Sequence, residues 1–252
     1  MNKRDDLWIR PLHLDERGGP RLICFPHAGG AASYFRPLAA HLPAFEAVGV
    51  LYPGRQDRYA EPCLEDIGAL ADEVTAALKP WLEDRPAVFF GHSMGSVLAF
   101  EVAQRLQAGG GAMPLGLLVS GRRAPSRHRH EDIHTRGDQA LLAEIQKLNG
   151  TAAALFDDDE LVQLILPATR ADYKAIETYR YTPGPRLDRP ITALTGESDP
   201  RVTIDEAQDW ELHTSGAFEL RVFPGGHFYL GDDWTVVARA ISESIQAFSS
   251  AT

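Results

Sequence analysis

The chain has 252 residues, of which 44% are hydrophobic and 24% charged, a balance that fits a packed globular protein of one large α/β domain or two small ones. Its formal net charge of −10 argues against a nucleic-acid binder held by phosphate contacts. Cys24 and Cys63 have no CxxC spacing, Met1 to Arg10 lacks the apolar core of a signal peptide, and no run reaches the roughly 18 apolar residues of a membrane span, so a cytoplasmic monomer with reduced thiols and no membrane partner is expected.

In chain order, the first clear strand is Arg21 to Phe25, ending at Pro26 and the turn Ala28-Gly29-Gly30. A helix is predicted from about Ala31 to Leu42, with Tyr34, Leu38 and Leu42 on one face. Phe45 to Tyr52 reads as a second strand, closed by Pro53-Gly54, and Leu64 to Trp81 as a long helix burying Leu70, Val74 and Leu78. A third strand, Ala87 to Phe90, leads into Gly91-His92-Ser93-Met94-Gly95 and a helix from Ser96 to Ala108. A fourth strand is Leu115 to Ser120. Strands alternating with helices imply a mostly parallel sheet covered on both faces, with ligands at the carboxyl ends of its strands.

The rhythm breaks between residues 122 and 188, where helices are predicted over Gln139 to Leu148, Asp159 to Leu166 and Ala168 to Tyr179. Strands resume at Ile191 to Thr195 and Phe218 to Phe223, and a final helix covers Trp234 to Phe248. The expectation is a single domain over 1–252, with 122–188 inserted as a helical lid over a strand-end site.

Gly-x-Ser-x-Gly between a strand and a helix is the setting of a nucleophile elbow, with glycines where a side chain would not fit. The bland alternative is Ser93 as a simple helix N-cap. A serine nucleophile needs a base, and hydrolases built on this elbow carry the acid and then the base after later strands. His227, in Pro224-Gly225-Gly226-His227-Phe228, is the expected base and Asp199 the expected acid, with Glu197 the rival two residues away. The oxyanion donors expected are the backbone N–H groups of Met94 and Ala28; the alternative for the Ala28 loop is a turn that merely needs small residues. Together these describe a serine hydrolase on the α/β-hydrolase fold. Composition and spacing call for no cofactor and no metal.

Phe25-Pro26-His27-Ala28-Gly29-Gly30, Tyr52-Pro53-Gly54-Arg55, Gly91-His92-Ser93-Met94-Gly95, Ser120-Gly121-Arg122-Arg123-Ala124-Pro125, Gly196-x-x-Asp199 and Gly225-Gly226-His227-Phe228 resemble, in order, the motifs of type II thioesterases. These stand-alone enzymes accompany polyketide synthases and nonribosomal peptide synthetases. The resemblance implies hydrolysis of stalled or aberrant acyl groups from the phosphopantetheine arm of an acyl or peptidyl carrier protein, the triad Ser93, Asp199 and His227, and a lid over the acyl channel.

The basic run holding Arg122, Arg123, Arg127 and Arg129 leaves a strand end near this site. It is a candidate contact for the carrier or its pantetheine phosphate, or else a solvated loop. His128-x-His130-x-Asp132-Ile133-His134 is a near miss to a zinc-hydrolase pattern, with one residue too many before the last histidine. Two rival functions remain open on the residues: a small-molecule carboxylesterase or lipase on the same fold, and a non-catalytic carrier-binding protein.

Overall fold

The computed structural model describes residues 5–14, 18–149 and 159–250. In chain order the elements are α1 (Asp5–Trp8), β1 (Ile9–His13), β2 (Arg21–Phe25), α2 (Arg36–Ala40), β3 (Glu46–Val50), α3 (Ile67–Asp84), β4 (Ala87–His92), α4 (Met94–Gly109), β5 (Leu117–Ser120), α5 (Asp138–Asn149), α6 (Asp159–Thr178), β6 (Ile191–Gly196), α7 (Ile204–Gln208), β7 (Phe218–Phe223) and α8 (Trp234–Ser250). The strands form one sheet in the order β1-β3-β2-β4-β5-β6-β7. Only β1 runs antiparallel, against β3; the other neighbours are parallel.

Every residue of β2 to β6 is buried, because helices cover both faces of the sheet. That is why these strands read as unbroken apolar runs rather than as alternating patterns. Side chains still alternate between layers. Ile23 and Phe25 of β2 pack with Phe89, Leu70, Val74 and Leu78 on the α3/α4 side. Leu22 and Cys24 pack with Phe90, Leu38, Ile241 and Ile245 on the α2/α8 side. Cys24 and Cys63 are free thiols.

Several boundaries depart from expectation. β1 was not foreseen; it is an edge strand carrying Arg10 and Pro11, and Pro is tolerated at an edge where its missing N–H breaks no ladder. The expected Ala31–Leu42 helix is a 3₁₀ turn, Ala32–Phe35, followed by the short α2. The two helices expected around Pro167 are one, α6. Pro167 removes one helical hydrogen bond, yet both halves are held to the protein: Val162 and Leu166 before it and Tyr173 after it pack with Leu141 of α5. Between β5 and β6 the described residues form no sheet strand, and only Leu187 makes an isolated bridge, to Thr214. α5 and α6 occupy that interval.

Candidate active site

The turn between β4 and α4 forces Ser93 into a left-handed backbone, φ 53° and ψ −117°. A non-glycine residue there carries on the order of 1–3 kcal/mol of strain, so the surroundings must over-determine it. They do so by crowding. A Cβ on Gly91 would lie 2.3 Å from the Gly95 carbonyl oxygen, and one on Gly95 would lie 2.0 Å from the Phe25 carbonyl oxygen. The Ser93 N–H donates to the Ser120 carbonyl at 2.8 Å, which ties the turn to β5. Ser96 Oγ lies 2.9 Å from the carbonyls of both Gly91 and Ser120. Ser93 makes no side-chain cap bond to its helix. The N-cap alternative therefore has no bond to support it, and the hydroxyl stands half-buried beside a cavity.

His227 and Asp199 follow the carboxyl ends of β7 and β6. A Cβ on Gly196 would meet the Gly226 carbonyl oxygen at 2.3 Å, so the two loops lie in direct contact. His227 Nδ1 sits 2.9 Å from Asp199 Oδ2 and 3.1 Å from Oδ1, with side-chain exposures of 2% and 0%. A buried carboxylate needs further donors, and the Arg201 N–H supplies one to Oδ1 at 2.8 Å. Glu197, the rival acid, points to solvent. With Nδ1 donating to the carboxylate, Nε2 is the ring nitrogen left to accept a proton.

The Pro26–Gly30 loop is held by its neighbours. Tyr52 Oη donates to the Pro26 carbonyl at 3.1 Å, and the Gly30 N–H closes a turn onto His27 O at 2.9 Å. Gly29 has φ +75°, a conformation that glycine adopts without strain. Met94 opens α4, so its N–H has no intrahelical acceptor. Among the described residues nothing accepts from the Ala28 N–H either.

Ser93, His227, Ala28, His27 and Phe228 line one side of a partly open cavity. Arg122, Glu131, Leu148, Tyr173, Ile176 and Glu177 line the other, all from the interval between β5 and β6. Burial opposes ionisation of Glu131, but the Arg123 hydrogen bond and the charge of Arg122 outweigh it and hold its pKa below the ordinary value. Two further histidines surround the base. The His92 ring centre is 5.1 Å from that of His227; its Nδ1 meets Ser120 Oγ at 2.9 Å, and Ser120 Oγ meets Tyr229 Oη at 2.8 Å. Burial, with help from the charge of His227, pushes His92 well down and His27 to about 3. Burial thus favours the neutral form of both rings beside His227. Sequence reasoning assigned neither histidine a role, although both stand inside its motifs.

The basic run behaves differently from expectation. Arg123 is 3% exposed and bonded to Glu131 at 2.5 Å, so it is withdrawn from any docking surface. Arg127 is paired with Asp209, and Arg129 Nε donates to Glu206 at 2.8 Å. These carboxylates lie about 80 residues away in sequence, beyond the reach of local pattern reading. Only Arg122 faces the cavity and makes no ion pair among the described residues. Within the near-miss metal motif, His134 Nδ1 lies 2.6 Å from Glu177 Oε2 and Asp132 Oδ1 accepts from Arg136 Nη2 at 2.7 Å.

Sequence reasoning also gave no role to Asp172 and Arg55, a buried pair bridging α6 and the loop after β3. Arg55 stood in a quoted motif. Asp172 was detectable as a lone carboxylate among Ala171, Tyr173, Ala175 and Ile176 on a helix face.

Comparison with known proteins identifies the family. The thioesterase-domain family model matches residues 20–245. A probable cadicidin biosynthesis thioesterase of Streptomyces griseus is 51% identical over 94% of this chain, which spans 66% of that protein. Thioesterase PikA5 of Streptomyces venezuelae is 48% identical over 97% of this chain and 88% of its own length. The solved structure of the type II thioesterase BorB, from the borrelidin biosynthetic cluster, superposes with a TM-score of 0.85 at 45% identity, covering 96% of this chain and 97% of BorB. With a family match across nearly the whole sheet and a serine elbow at its centre, the chain belongs to the thioesterase family and is a thioester hydrolase of the α/β-hydrolase fold.

Proposed function

We propose that the chain hydrolyses acyl thioesters from the phosphopantetheine arm of acyl or peptidyl carrier proteins in polyketide or nonribosomal peptide synthesis. Ser93 is the nucleophile, His227 the base and Asp199 the acid. The observation that carries this reading is the buried His227–Asp199 pair, whose imidazole lines the same cavity as the strained, uncapped Ser93. The thioesterase relatives at 48–51% identity support the class of bond.

Asp199 holds His227 with Nδ1 protonated and stabilises the imidazolium that forms. Nε2 takes the Ser93 proton as Oγ attacks the thioester carbonyl. The resulting oxyanion is received by the Ala28 and Met94 N–H groups. The imidazolium returns its proton to the departing pantetheine thiol, leaving an acyl-serine. Water, deprotonated by His227, then attacks that ester and releases the acid. The 122–188 segment acts as the lid, since α5 and α6 supply the far wall of the cavity. Arg122, which lines the cavity beside Glu131 and makes no ion pair among the described residues, is the member of the basic run best placed to meet a polar group of the arm.

The test is turnover of a panel of carrier-linked acyl thioesters, beside an oxygen ester of the same acyl group, by wild type and Ser93→Ala. Thioester turnover should exceed ester turnover and fall by on the order of 10⁵–10⁶ in the variant. Turnover indifferent to the substitution would overturn the reading. Preference for the oxygen ester would move the function to a carboxylesterase.

A further inference from the structure

The Asp172–Arg55 pair joins two parts of the site that the mechanism treats separately. Asp172 lies in the middle of α6 and is 1% exposed; Arg55 follows β3 and is also buried. Their contact is bidentate, with Arg55 Nη1 donating to Oδ2 at 2.7 Å and Nη2 to Oδ1 at 2.9 Å. Neither group is used up by the other. Asp172 Oδ2 also accepts from the Gly29 N–H at 2.8 Å, and Arg55 Nη1 also donates to the Gly30 carbonyl at 2.8 Å. The pair thus holds the peptide after Ala28 by its N–H and the next residue by its carbonyl. α6 presses on the same spot, since a Cβ on Gly29 would lie 2.7 Å from Thr169 Oγ1. One helical turn onward, Tyr173, Ile176 and Glu177 of that helix form the cavity wall.

We propose that Asp172 and Arg55 are positioning residues that hold the Ala28 N–H toward the oxyanion, so that the oxyanion hole is complete only while α6 is docked over the cavity. The inference rests on the proposed triad and its Ala28 donor. Its physical basis is that a donor loop rich in glycine has no stiffness of its own, while oxyanion stabilisation depends on donors fixed before charge develops. A wide bidentate contact from a buried carboxylate supplies that stiffness. Displacement of α6 carries Asp172 away and frees Gly29 at once, so wall and donor respond as one body.

The experiment compares wild type, Asp172→Asn, Arg55→Lys and the double variant Arg55→Met/Asp172→Leu on a short acyl N-acetylcysteamine thioester. Melting temperature and the affinity of an acyl trifluoromethyl ketone, whose hemiketal adduct with Ser93 places an oxyanion in the hole, are measured alongside. Removing both charges from a buried pair is frequently neutral for folding, whereas removing one is not. The double variant, in which the Gly30 carbonyl also loses its Arg55 donor, should therefore stay folded with a modestly lowered melting temperature while kcat falls about a hundredfold, as for a displacement of about 1 Å. KM should stay within about threefold, and ketone affinity should weaken in step with kcat/KM. Should a single-charge variant fail to fold, Arg55→Lys, which keeps the charge but loses the fork, is expected to show a smaller loss of the same kind. A folded double variant with wild-type kcat and ketone affinity overturns the proposal. Ser93→Ala separates the two levels: if it is inactive while the double variant is unimpaired, only the positioning role falls. If Ser93→Ala keeps turnover, the triad reading falls and takes the positioning role with it.

Discussion

Gly95→Ala is the sharpest probe of how the site is built. The added Cβ would sit 2.0 Å from the Phe25 carbonyl oxygen, 2.5 Å from the Phe25 carbonyl carbon and 2.7 Å from the Pro26 carbonyl oxygen. An ordinary contact between a carbon and a carbonyl oxygen is about 3.3 Å, so the start of α4 and the end of β2 must part by roughly 1 Å. All three obstacles are backbone atoms, and no rotamer change relieves them. Overpacking of this size costs about 1–3 kcal/mol of stability. Its effect on catalysis is larger, because the two segments forced apart carry Met94 and the Pro26–Gly30 loop. A misplacement of about 1 Å lowers kcat about a hundredfold, or about 2.7 kcal/mol of transition-state stabilisation. The assay is kcat and KM on one acyl thioester together with thermal unfolding. Gly109→Ala in the same helix is the control, because a Cβ there meets nothing within 4 Å and activity should not change. A Gly95→Ala enzyme with kcat within twofold of wild type would refute the reasoning.

The acid can be assigned by a paired test: Asp199→Asn should cost on the order of 10³–10⁴ in kcat, whereas Glu197→Gln, exposed to solvent, should stay within twofold. Carrier-linked turnover should also be indifferent, within twofold, to Arg127→Ser and Arg129→Ser, whose charges Asp209 and Glu206 already neutralise; a tenfold loss would restore them as docking contacts. Acid should destabilise the fold. Burial lowers His213 to about 4, against a counteracting pull from Asp209, and His27 to about 3. An unfolded histidine titrates near 6.5. Below that pH the unfolded chain binds more protons and stability falls as pH falls, so the urea midpoint should drop between pH 7 and 4.5, and drop less in His213→Gln.

Ser93 and Asp199 were legible because each follows a buried parallel strand, and such strands announce themselves as short apolar runs ended by glycine; His227 follows the half-exposed edge strand β7. Ala87–Phe90 before Ser93 and Ile191–Thr195 before Asp199 are of this kind. β1 was not, since Arg10 and Pro11 interrupt its pattern and its pairing partner lies in a later strand. The continuity of α6 was hidden by Pro167, whose local cost is outweighed by packing against Leu141. Least legible were the charges. Arg55 meets Asp172 across 117 residues, and the arginines after β5 meet carboxylates on α7 and the turn that follows it. Spacing along the chain carries no trace of such partners, and a basic run therefore looked more available than it is.

That neutralised run has a kinetic consequence. With Arg123, Arg127 and Arg129 each matched to a carboxylate and a net charge of −10, the molecule offers an acidic partner little long-range attraction. Encounter then proceeds without electrostatic acceleration, and added salt should hasten association rather than slow it. An enzyme that captures slowly samples its partners by how long they remain available. On the proposed carrier-linked substrate, acyl groups in rapid transit would pass before a meeting occurs, while those parked on an idle arm would accumulate encounters, so selection between them would follow from residence time without any discrimination by shape.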